Sequence, residues 1–417
     1  MIACVDVFCG LGGLTHGLAK GGIRVVAGID LDSECRFPYE ANNAARFHEL
    51  DVREVSGHQL RDLWGTGKYS LLAGCAPCQP FSTYGRHKGR QPSSKKKWDL
   101  VADFARLVRE ARPDFVTMEN VPQLVDHSVF RDLVSGLSDY HIWWDVVDCV
   151  EYSVPQTRKR LVLLASRLGP VQLIRPSAVI DEQAIALIDE KVGKPTVRRA
   201  ISSLKSLQAG ESDPDDKLHS ACRLSDLNLR RIKASTPGGT WRDWDEAIIA
   251  NCHTKSSGET YPSVYGRMEW DGPAPTITTQ SFGYGNGRFG HPEQDRAITL
   301  REAALLQTFP ASYRFLPPGQ KLRFSVLGRL IGNAVPVRIG EAIAKSLLLH
   351  LSEQNQFKGS RPMKPLPAAP VPGNTDAERM SNALRMVLTV PKADLLKEES
   401  RLKRASRKKR AAKKAAS

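Results

Sequence analysis

Short apolar runs, separated by turn residues and amphipathic stretches, follow one another through the first part of the chain. The stretch Asp99–Arg112 places Val101, Phe104 and Val108 on a single face, which is typical of an amphipathic helix. Alternating strands and helices predict an α/β fold with a doubly wound, mostly parallel sheet, in which ligands bind beyond the carboxyl ends of the strands. The predicted strands are Ala3–Phe8, Val25–Asp30, Phe47–Val52, Tyr69–Gly74, Phe115–Glu119, Trp143–Val150 and Leu161–Ala165.

The rhythm of strands and helices stops near the end of the first predicted domain, 1–175. Residues 176–298 are rich in Gly, Ser, Thr and Trp and predict a smaller, loop-rich domain. Helical patterns resume over 299–352, which we expect to return to the first domain. Residues 353–417 predict a Pro-rich linker and a basic helical tail.

Positive charge is concentrated at one end of the chain. The formal net charge is +15, and residues 391–417, with 11 Lys/Arg against 3 Asp/Glu, carry +8 of it. A basic body with a more basic tail favours a polyanionic partner, whereas a solubilising tail on an ordinary surface is the structural alternative. Ahead of the basic run, Thr375 and Glu378 have the spacing of a capping box at the start of a helix.

The composition is that of a globular chain, with 41% hydrophobic and 25% charged residues among 417. No run approaches the roughly 20 apolar residues of a membrane span. The first ten residues lack a basic start, and Asp6 interrupts their apolar stretch, so we expect no export signal. The eight cysteines are therefore expected to be reduced thiols of a cytoplasmic protein.

The ends of the first three predicted strands carry groups that suit a nucleotide-like ligand. DVFCGLGG (6–13) runs into a turn whose glycines let a ligand approach the backbone near the start of a helix. Asp30 ends the next strand, and an acid about 20 residues beyond such a turn can bind ribose hydroxyls. Asp51 could accept a hydrogen bond from an adenine amino group. A tight turn followed by solvated strand ends is the structural alternative.

GCAPCQPFS (74–82) holds the only Cys-x-x-Cys pair, Cys75 and Cys78. It lacks the further ligands that zinc requires, so we expect no metal here. The remaining chemical interpretation is a single nucleophilic thiolate, Cys78, and a buried inert cysteine is the alternative. Residues 83–97 follow with six Lys/Arg and no acid, which predicts a positively charged loop beside the nucleophile.

Two further motifs place polar groups at strand ends. In MENVP (118–122), Glu119 ends a hydrophobic strand, where burial should favour a protonated carboxyl group that can donate a proton. In QTRKR (156–160), Arg158 and Arg160 point to one face if the segment is extended, which suits recognition of a phosphate or carboxylate. A basic strand edge that discourages aggregation is the alternative for the arginines.

These motifs, followed downstream by GNAVPV (332–337), resemble in sequence and order those of the bacterial DNA (cytosine-5) methyltransferases. The resemblance covers residues 3–175 and 262–350. It implies the fold of the S-adenosylmethionine-dependent methyltransferases, with residues 176–298 as a target-recognition domain. It also implies transfer of a methyl group from S-adenosylmethionine to C5 of a cytosine that is flipped out of a specific double-stranded DNA sequence.

The resemblance also implies a role for each matching residue. Cys78 would add to C6 of the cytosine, Glu119 would hold N3 and the exocyclic amine, Arg158 would orient the base, and Arg160 would support Cys78 or a phosphate. The cofactor would be bound by Phe8, Gly10, Leu11, Gly12, Asp30, Leu31, Asp51, Val52, Pro77, Asn333 and Val335. DNA would be contacted by Gln79, Ser82, Arg86, Lys88, Arg242 and Thr276, with Arg267 and Arg288 as further candidates for reading guanine.

Three positions depart from the family pattern. Asp30 stands where Glu is more usual, which shortens the reach to a ribose by one methylene. Leu31 stands where an aromatic residue is common, which weakens stacking on adenine. Thr308 replaces a common Gly. None of these departures touches the chemical core, so we expect an active enzyme.

Two other functions stay open at this point. A tRNA cytosine-5 methyltransferase would use the same fold, but the large variable insertion favours a reader of duplex DNA. A non-catalytic DNA-binding regulator would not require Cys78, Glu119 and Arg158 together. For the enzyme we expect a monomer in the bacterial cytoplasm, without a membrane, belonging to a restriction-modification system with a possible cognate restriction endonuclease.

Overall fold

A computed structural model gives the fold of two compact units, Met1–Phe357 and Lys358–Ser417. It describes residues 1–77, 95–174, 195–251, 253–255, 258, 260–359, 375 and 378, with the side chains of 95–99 and 356–359 left out. In the second unit, the N–H of Thr375 donates to the Glu378 carboxylate and the N–H of Glu378 donates to Oγ1 of Thr375, each at 3.2 Å. These reciprocal bonds are those of the predicted capping box.

Seven strands of the described residues form one sheet, in the order β3-β2-β1-β4-β5-β8-β6. Strands β1 to β5 are parallel, whereas β8 lies antiparallel between β5 and β6. All seven strands that the apolar pattern predicts are present, so the predicted α/β fold class is confirmed. The strands are β1 Ile2–Val7, β2 Arg24–Asp30, β3 Arg46–Glu49, β4 Tyr69–Gly74, β5 Phe115–Asn120, β6 His141–Asp148, β7 Gln156–Thr157, β8 Lys159–Ser166 and β9 Ala274–Pro275.

Two strands end earlier than predicted, and an aspartate side chain accounts for both. The Asp51 carboxylate accepts the N–H of Arg53, and the Asp148 carboxylate accepts the N–H of Val150. Each bond starts a 3₁₀ turn, at Val52 after two intervening residues beyond the end of β3 and at Cys149 directly after β6. Such local bonds offer the backbone an alternative to the ladder of the sheet.

Helices cover both faces of the sheet. Consecutive residues of β1 enter opposite hydrophobic clusters, with Cys4 in one and Val5 in the other. The predicted helix Asp99–Arg112 is present as α4. The helices of the described residues are α1 Gly13–Lys20, α2 Arg36–Glu40, α3 Gly57–Trp64, α4 Lys95–Ala111, α5 Ser128–Ser135, α6 Val197–Ile201, α7 Asp226–Ala234, α8 Leu300–Leu306, α9 Phe324–Asn333 and α10 Val337–Gly359. No helix in this part of the chain is long and apolar enough to cross a membrane.

The chain at the start of helix α10 packs closely against helix α1. A Cβ atom at Gly13 would lie 2.4 Å from the Val335 carbonyl oxygen, and one at Gly17 would lie 2.2 Å from that of Val337. Only glycine lets the two segments approach so closely. Residues from the far end of the chain thereby reach the carboxyl end of β1.

The described residues between 195 and 298 hold little regular structure. They contain the short helices α6 and α7 and the strand β9, which pairs in parallel with β7. Small apolar clusters form there around Tyr284 and around the pair Trp241 and Trp244. The division into a catalytic and a target-recognition domain remains a prediction.

Candidate active site

The predicted site residues at strand ends lie along one edge of the sheet. Parallel register aligns Val7 of β1 with Ile29 of β2 and with Gly74 of β4, and Gly74 with Met118 of β5. The segments that follow these strands therefore leave from the same edge. This is the edge at which open α/β sheets bind their ligands.

The Gly-rich turn after β1 adopts backbone angles that favour glycine. Phe8, Gly10 and Gly12 have φ values of 58°, 52° and 94°. A Cβ at Gly12 would lie 2.8 Å from the Asn43 amide nitrogen. Phe8 is a non-glycine residue in this left-handed region, which stores local strain of the kind found at ligand sites.

Asp30 is tied to the turn by two backbone hydrogen bonds. Its Oδ2 accepts the N–H of Gly10, and its Oδ1 accepts the N–H of Asp32, both at 2.9 Å. Burial raises the pKa of Asp30 above its ordinary value, and the two N–H groups counteract that shift. Beyond it the Leu31 side chain is 63% exposed, so an apolar surface lies open beside the carboxylate.

The Asp51 carboxylate is hydrogen-bonded to the side chain of Arg53. Its carboxylate oxygens lie 2.9 and 3.0 Å from Nε of Arg53, and hydrogen bonds from this guanidinium lower the pKa of Asp51. Val52, next along, is buried. An adenine amino group would therefore share the Asp51 carboxylate with Arg53.

A buried carboxylate lies at the centre of the edge. Glu119 is 2% exposed, and its Oε2 accepts the thiol hydrogen of Cys75 at 2.9 Å. Nε of Arg160 lies 2.9 Å from Oε1 of Glu119 in an ion pair. Burial, followed by the charge of Glu119, raises the pKa of Cys75 well above its ordinary value, so Cys75 stays a thiol. Asn120 holds the adjoining loop by donating to the Ala76 carbonyl at 3.1 Å.

Arg158 is buried away from this carboxylate and bonds to backbone carbonyls. Its guanidinium donates to the oxygens of Ile277, Ala334 and Gly332 at 3.2, 3.3 and 3.5 Å. Burial lowers the pKa of Arg158 to about 9. As the alternation predicts, Arg158 and Arg160 both turn inward, while Lys159 between them is exposed.

Two glutamines that sequence reasoning missed connect the same three segments. Oε1 of Gln156 accepts the N–H of Ile277 at 3.0 Å, and its Nε2 donates to Oε1 of Gln307 at 2.7 Å. Gln307 in turn donates to the Ile331 carbonyl at 2.9 Å. Both side chains are fully buried. The only signal in the sequence is that Gln156 begins the motif QTRKR and that Gln307 directly precedes Thr308, a position that departs from the family pattern.

Two residues predicted to bind the cofactor, Asn333 and Val335, come from late in the sequence and differ in exposure. Val335 is buried and Asn333 is exposed at the end of α9. Pro77, the last described residue before the gap in this region, is exposed as well. Five predicted residues lie outside the described ones: Cys78, Gln79, Ser82, Arg86 and Lys88.

Two of the three arginines proposed to read guanine bond to backbone carbonyls. Arg267 is buried and donates to the carbonyls of Ile232 and Ser235 at 3.0 and 2.9 Å. Arg288 donates to the Gly239 carbonyl at 2.6 Å. The expectation that Arg267 reads a base is wrong, because its buried guanidinium is bonded to backbone carbonyls and paired with Asp295. Arg288 is only half-buried, so its reading of a base stays a prediction.

The other two predicted DNA contacts from the loop-rich region lie nearer to solvent. The Arg242 guanidinium lies over the Trp241 ring, 5.5 Å from its centroid. Oγ1 of Thr276 donates to the Thr157 carbonyl at 2.6 Å, beside the β7–β9 pair. Neither contact tests a role in DNA binding.

The fold of this chain is similar to that of a solved methyltransferase. The methyltransferase EhMeth of Entamoeba histolytica has a TM-score of 0.57 to this chain at 14% sequence identity, over 84% of this chain and 99% of that chain. The profile of the C-5 cytosine-specific DNA methylases matches residues 2–349.

Relatives with similar sequences are described as Type II enzymes. The Type II methylase M.HgiDII of Herpetosiphon aurantiacus is 51% identical over 83% of this chain and 94% of its own length. The Type II methyltransferase M.Eco47II of Escherichia coli is 30% identical over 84% of this chain and 80% of its own length. The chain therefore belongs to the C-5 cytosine-specific DNA methylase family and is an enzyme, which confirms the predicted family.

Proposed function

We propose that this enzyme transfers a methyl group from S-adenosylmethionine to C5 of a cytosine within a specific sequence of double-stranded DNA. The observation that carries the proposal is the cluster at the ends of β4 and β5, where the Glu119 carboxylate lies between the Cys75 thiol and the Arg160 guanidinium. Cys78 follows Cys75 by three residues. Fixed charged groups at a sheet edge can hold the polar edge of a pyrimidine while a thiolate adds to its ring.

The residues after β1 and β2 fit the methyl donor. The Asp30 carboxylate uses one lone pair of each oxygen on a backbone N–H, which leaves capacity to accept ribose hydroxyls. The exposed Leu31 offers an apolar surface for adenine, and Gly12 leaves room beside the turn. When bound there, S-adenosylmethionine supplies an electrophilic methyl group. Leu11, Val52, Pro77, Asn333 and Val335 complete the proposed site.

Cys78 starts the chemistry because C5 of cytosine is a poor nucleophile. Its thiolate adds to C6, which breaks the aromaticity of the ring and moves electron density to C5. C5 would then take the methyl group as the donor's sulfur leaves as a thioether, and loss of the C5 proton to water and of the Cys78 thiolate would restore the ring. Glu119 would hold N3 as the ring becomes electron-rich, and a positioned acid contributes about 10²- to 10⁴-fold.

The contacts of the two arginines support an exchange of the roles implied by the family resemblance. Arg160 pairs with Glu119, which is proposed to hold the cytosine, so we assign Arg160 a contact with the base. The Arg158 guanidinium already donates to the carbonyls of Ile277, Gly332 and Ala334. We therefore assign it to joining the predicted target-recognition domain, which contains Ile277, to residues 332–334.

Base recognition would involve the described side chains of Arg242 and Thr276, together with Gln79, Ser82, Arg86 and Lys88. Extruding the cytosine from the duplex costs a few kcal/mol, which phosphate contacts of the basic residues in 83–97 would offset. Because two relatives are named as Type II enzymes, we infer a restriction-modification setting, in which a cognate endonuclease is possible. We also infer a monomer that acts in the bacterial cytoplasm, where its DNA is.

The proposal is tested with the purified full chain, labelled S-adenosylmethionine and duplex DNA that carries 5-fluorocytosine. We expect a covalent protein–DNA adduct, because fluorine cannot leave C5 as a proton does. Cys78→Ser should abolish both adduct and methyl transfer while DNA binding persists. Cys222→Ser, a partly buried cysteine of the loop-rich region, is the matched control and should retain both. Normal turnover by Cys78→Ser would disprove the mechanism.

The same assay separates the two alternative functions. Methylation of tRNA and not of duplex DNA would favour the RNA enzyme, and DNA binding without methylation would favour the regulator. Bisulfite sequencing of DNA from cells that express the chain would then identify the modified cytosine and its sequence context.

A further inference from the structure

Two ion pairs join the segment after β2 to helix α9. Nη2 of Arg329 lies 2.7 Å from Oδ2 of Asp32, and the guanidinium of Arg323 pairs with the Glu34 carboxylate. The acids follow Asp30 directly, and the arginines lie at the start and in the middle of α9. Parts of the chain that are far apart in sequence are thereby held together beside the proposed cofactor site.

Asp32 helps to fix the position of the Asp30 carboxylate through a hydrogen bond. Its Oδ1 accepts the N–H of Glu34 at 3.1 Å, while its Oδ2 faces Arg329. With both oxygens engaged, the backbone of Asp32 is held, and its own N–H donates to Oδ1 of Asp30 at 2.9 Å. Arg329 is therefore two contacts away from the carboxylate proposed to bind the ribose.

Helix α9 also leads to the opposite wall of that site. It ends at Asn333, and the next residues, through Val335, are those proposed to close over the cofactor. The carbonyl oxygens of Gly332 and Ala334 are fixed by Arg158. The pair of Arg329 with Asp32 thus connects the wall that carries Asp30 to the wall that carries Asn333.

We propose that Arg329 is a positioning residue for the methyl donor, which sets the Asp30 carboxylate and the distance between the two walls through Asp32. This inference rests on the proposed function, in which S-adenosylmethionine binds at Asp30. The side chains of Arg329 and Asp32 are 43% and 28% exposed, so water screens the pair. Its loss should weaken cofactor binding about threefold to fivefold, in the range of partly exposed ion pairs.

The test is titration calorimetry of S-adenosylmethionine into the full chain and its variants, with steady-state methylation of duplex DNA. For Arg329→Gln we expect a cofactor Kd raised about threefold to fivefold, with kcat at saturating cofactor and the KM for DNA nearly unchanged. Arg329→Lys, which keeps the charge, should restore much of the affinity. Because salt screens exposed charges, the difference from wild type should shrink at high salt.

Arg112→Gln is the matched control, since it breaks an exposed ion pair with Asp139 that involves neither the segment after β2 nor α9. It should leave the Kd within about 1.5-fold of wild type. Asp32→Asn keeps an oxygen for the Glu34 N–H and should match Arg329→Gln, while the double variant should be no weaker than either single one. If Arg329→Gln does not fold, the cofactor Kd of Asp32→Asn is sufficient to test the proposal.

The outcomes separate this inference from the proposed function. If wild type binds S-adenosylmethionine and both Arg329→Gln and Asp32→Asn bind it equally well, the positioning role is wrong and the proposed function stands. Additive losses in the double variant, or an equal loss for Arg112→Gln, would also overturn it. If wild type itself binds no S-adenosylmethionine, the proposed function fails and the inference fails with it.

Discussion

Nε of Arg160 lies 2.9 Å from Oε1 of Glu119, on the opposite side of the carboxylate from the Cys75 thiol. The carboxylate is buried, and the guanidinium supplies the opposite charge that a buried carboxylate requires. The pair therefore fixes one charged group at the edge of the sheet, in the proposed cytosine site.

Loss of this pair should reduce catalysis. For Arg160→Gln we expect kcat to fall about 10²- to 10³-fold, the range for removal of one preorganised donor in an active site. Methylation of duplex DNA under saturating conditions measures the effect, and circular dichroism checks that the variant is folded. A folded variant with wild-type turnover would exclude Arg160 from the contact with the base.

Loss of Arg158 should instead reduce stability. Arg158→Leu removes the side-chain donor of the buried Ile277 and Gly332 carbonyls, while the Ala334 carbonyl keeps Nε2 of Gln307 at 3.4 Å, and we expect about 3 kcal/mol less free energy of unfolding in urea. The exposed neighbour supplies a control, since Lys159→Ala should change stability by less than about 0.5 kcal/mol. Equal stability of Arg158→Leu and wild type would show that the carbonyls find other donors.

Stability should depend on pH through Asp6. Its side chain is buried and accepts from Oγ1 of Thr15 at 2.7 Å, and burial raises its pKa from 3.8 to about 7. Between these values the folded protein binds a proton that the unfolded chain does not, so this group destabilises the fold as pH rises from 4 to 7. The stability of Asp6→Asn relative to wild type should therefore increase by up to about 4 kcal/mol from pH 4 to pH 8. A constant difference in chemical denaturation across that range would contradict the prediction.

Thr308 should be a strained position. Its φ of 64° lies in the left-handed region, which explains why glycine is common there in the family that this chain resembles. Its hydroxyl compensates by accepting the N–H of Arg338 at 3.1 Å and donating to the Gln307 carbonyl. Thr308→Val and Thr308→Gly both lose these bonds, and only Val keeps the strain, so Thr308→Val should be about 1–2 kcal/mol less stable than Thr308→Gly. Thermal unfolding of the two variants gives the order, and the reverse order would be evidence against strain.

The basic tail should contribute salt-dependent DNA binding. Residues 391–417 carry a net charge of +8. Deleting them should weaken binding mainly at low salt and reduce the slope of log K against log salt, because fewer counterions are released from the DNA. Fluorescence anisotropy across a salt series measures the slope, and an unchanged slope would rule out contact between tail and phosphates.

The pattern of the sequence was sufficient for the sheet and for the edge that carries the site. Strands such as β1 and β5 are buried on both faces, so their apolar runs are unambiguous, and Asp30 and Glu119 are located by the ends of their strands. Strand ends after residues 49 and 148 were placed too late, because the local bonds of Asp51 and Asp148 compete with the sheet. Apolar periodicity contains no information on such side-chain bonds.

The tertiary structure decided what each polar side chain contacts. The letters QTRKR do not distinguish two neighbouring arginines, yet Arg160 pairs with Glu119 while Arg158 binds carbonyls from residues 277, 332 and 334. Arg267, which resembles a surface reader in sequence, is buried and bonded to backbone carbonyls. Apolar burial follows from local periodicity, whereas the partner of a charged group depends on segments that meet only when the chain is folded.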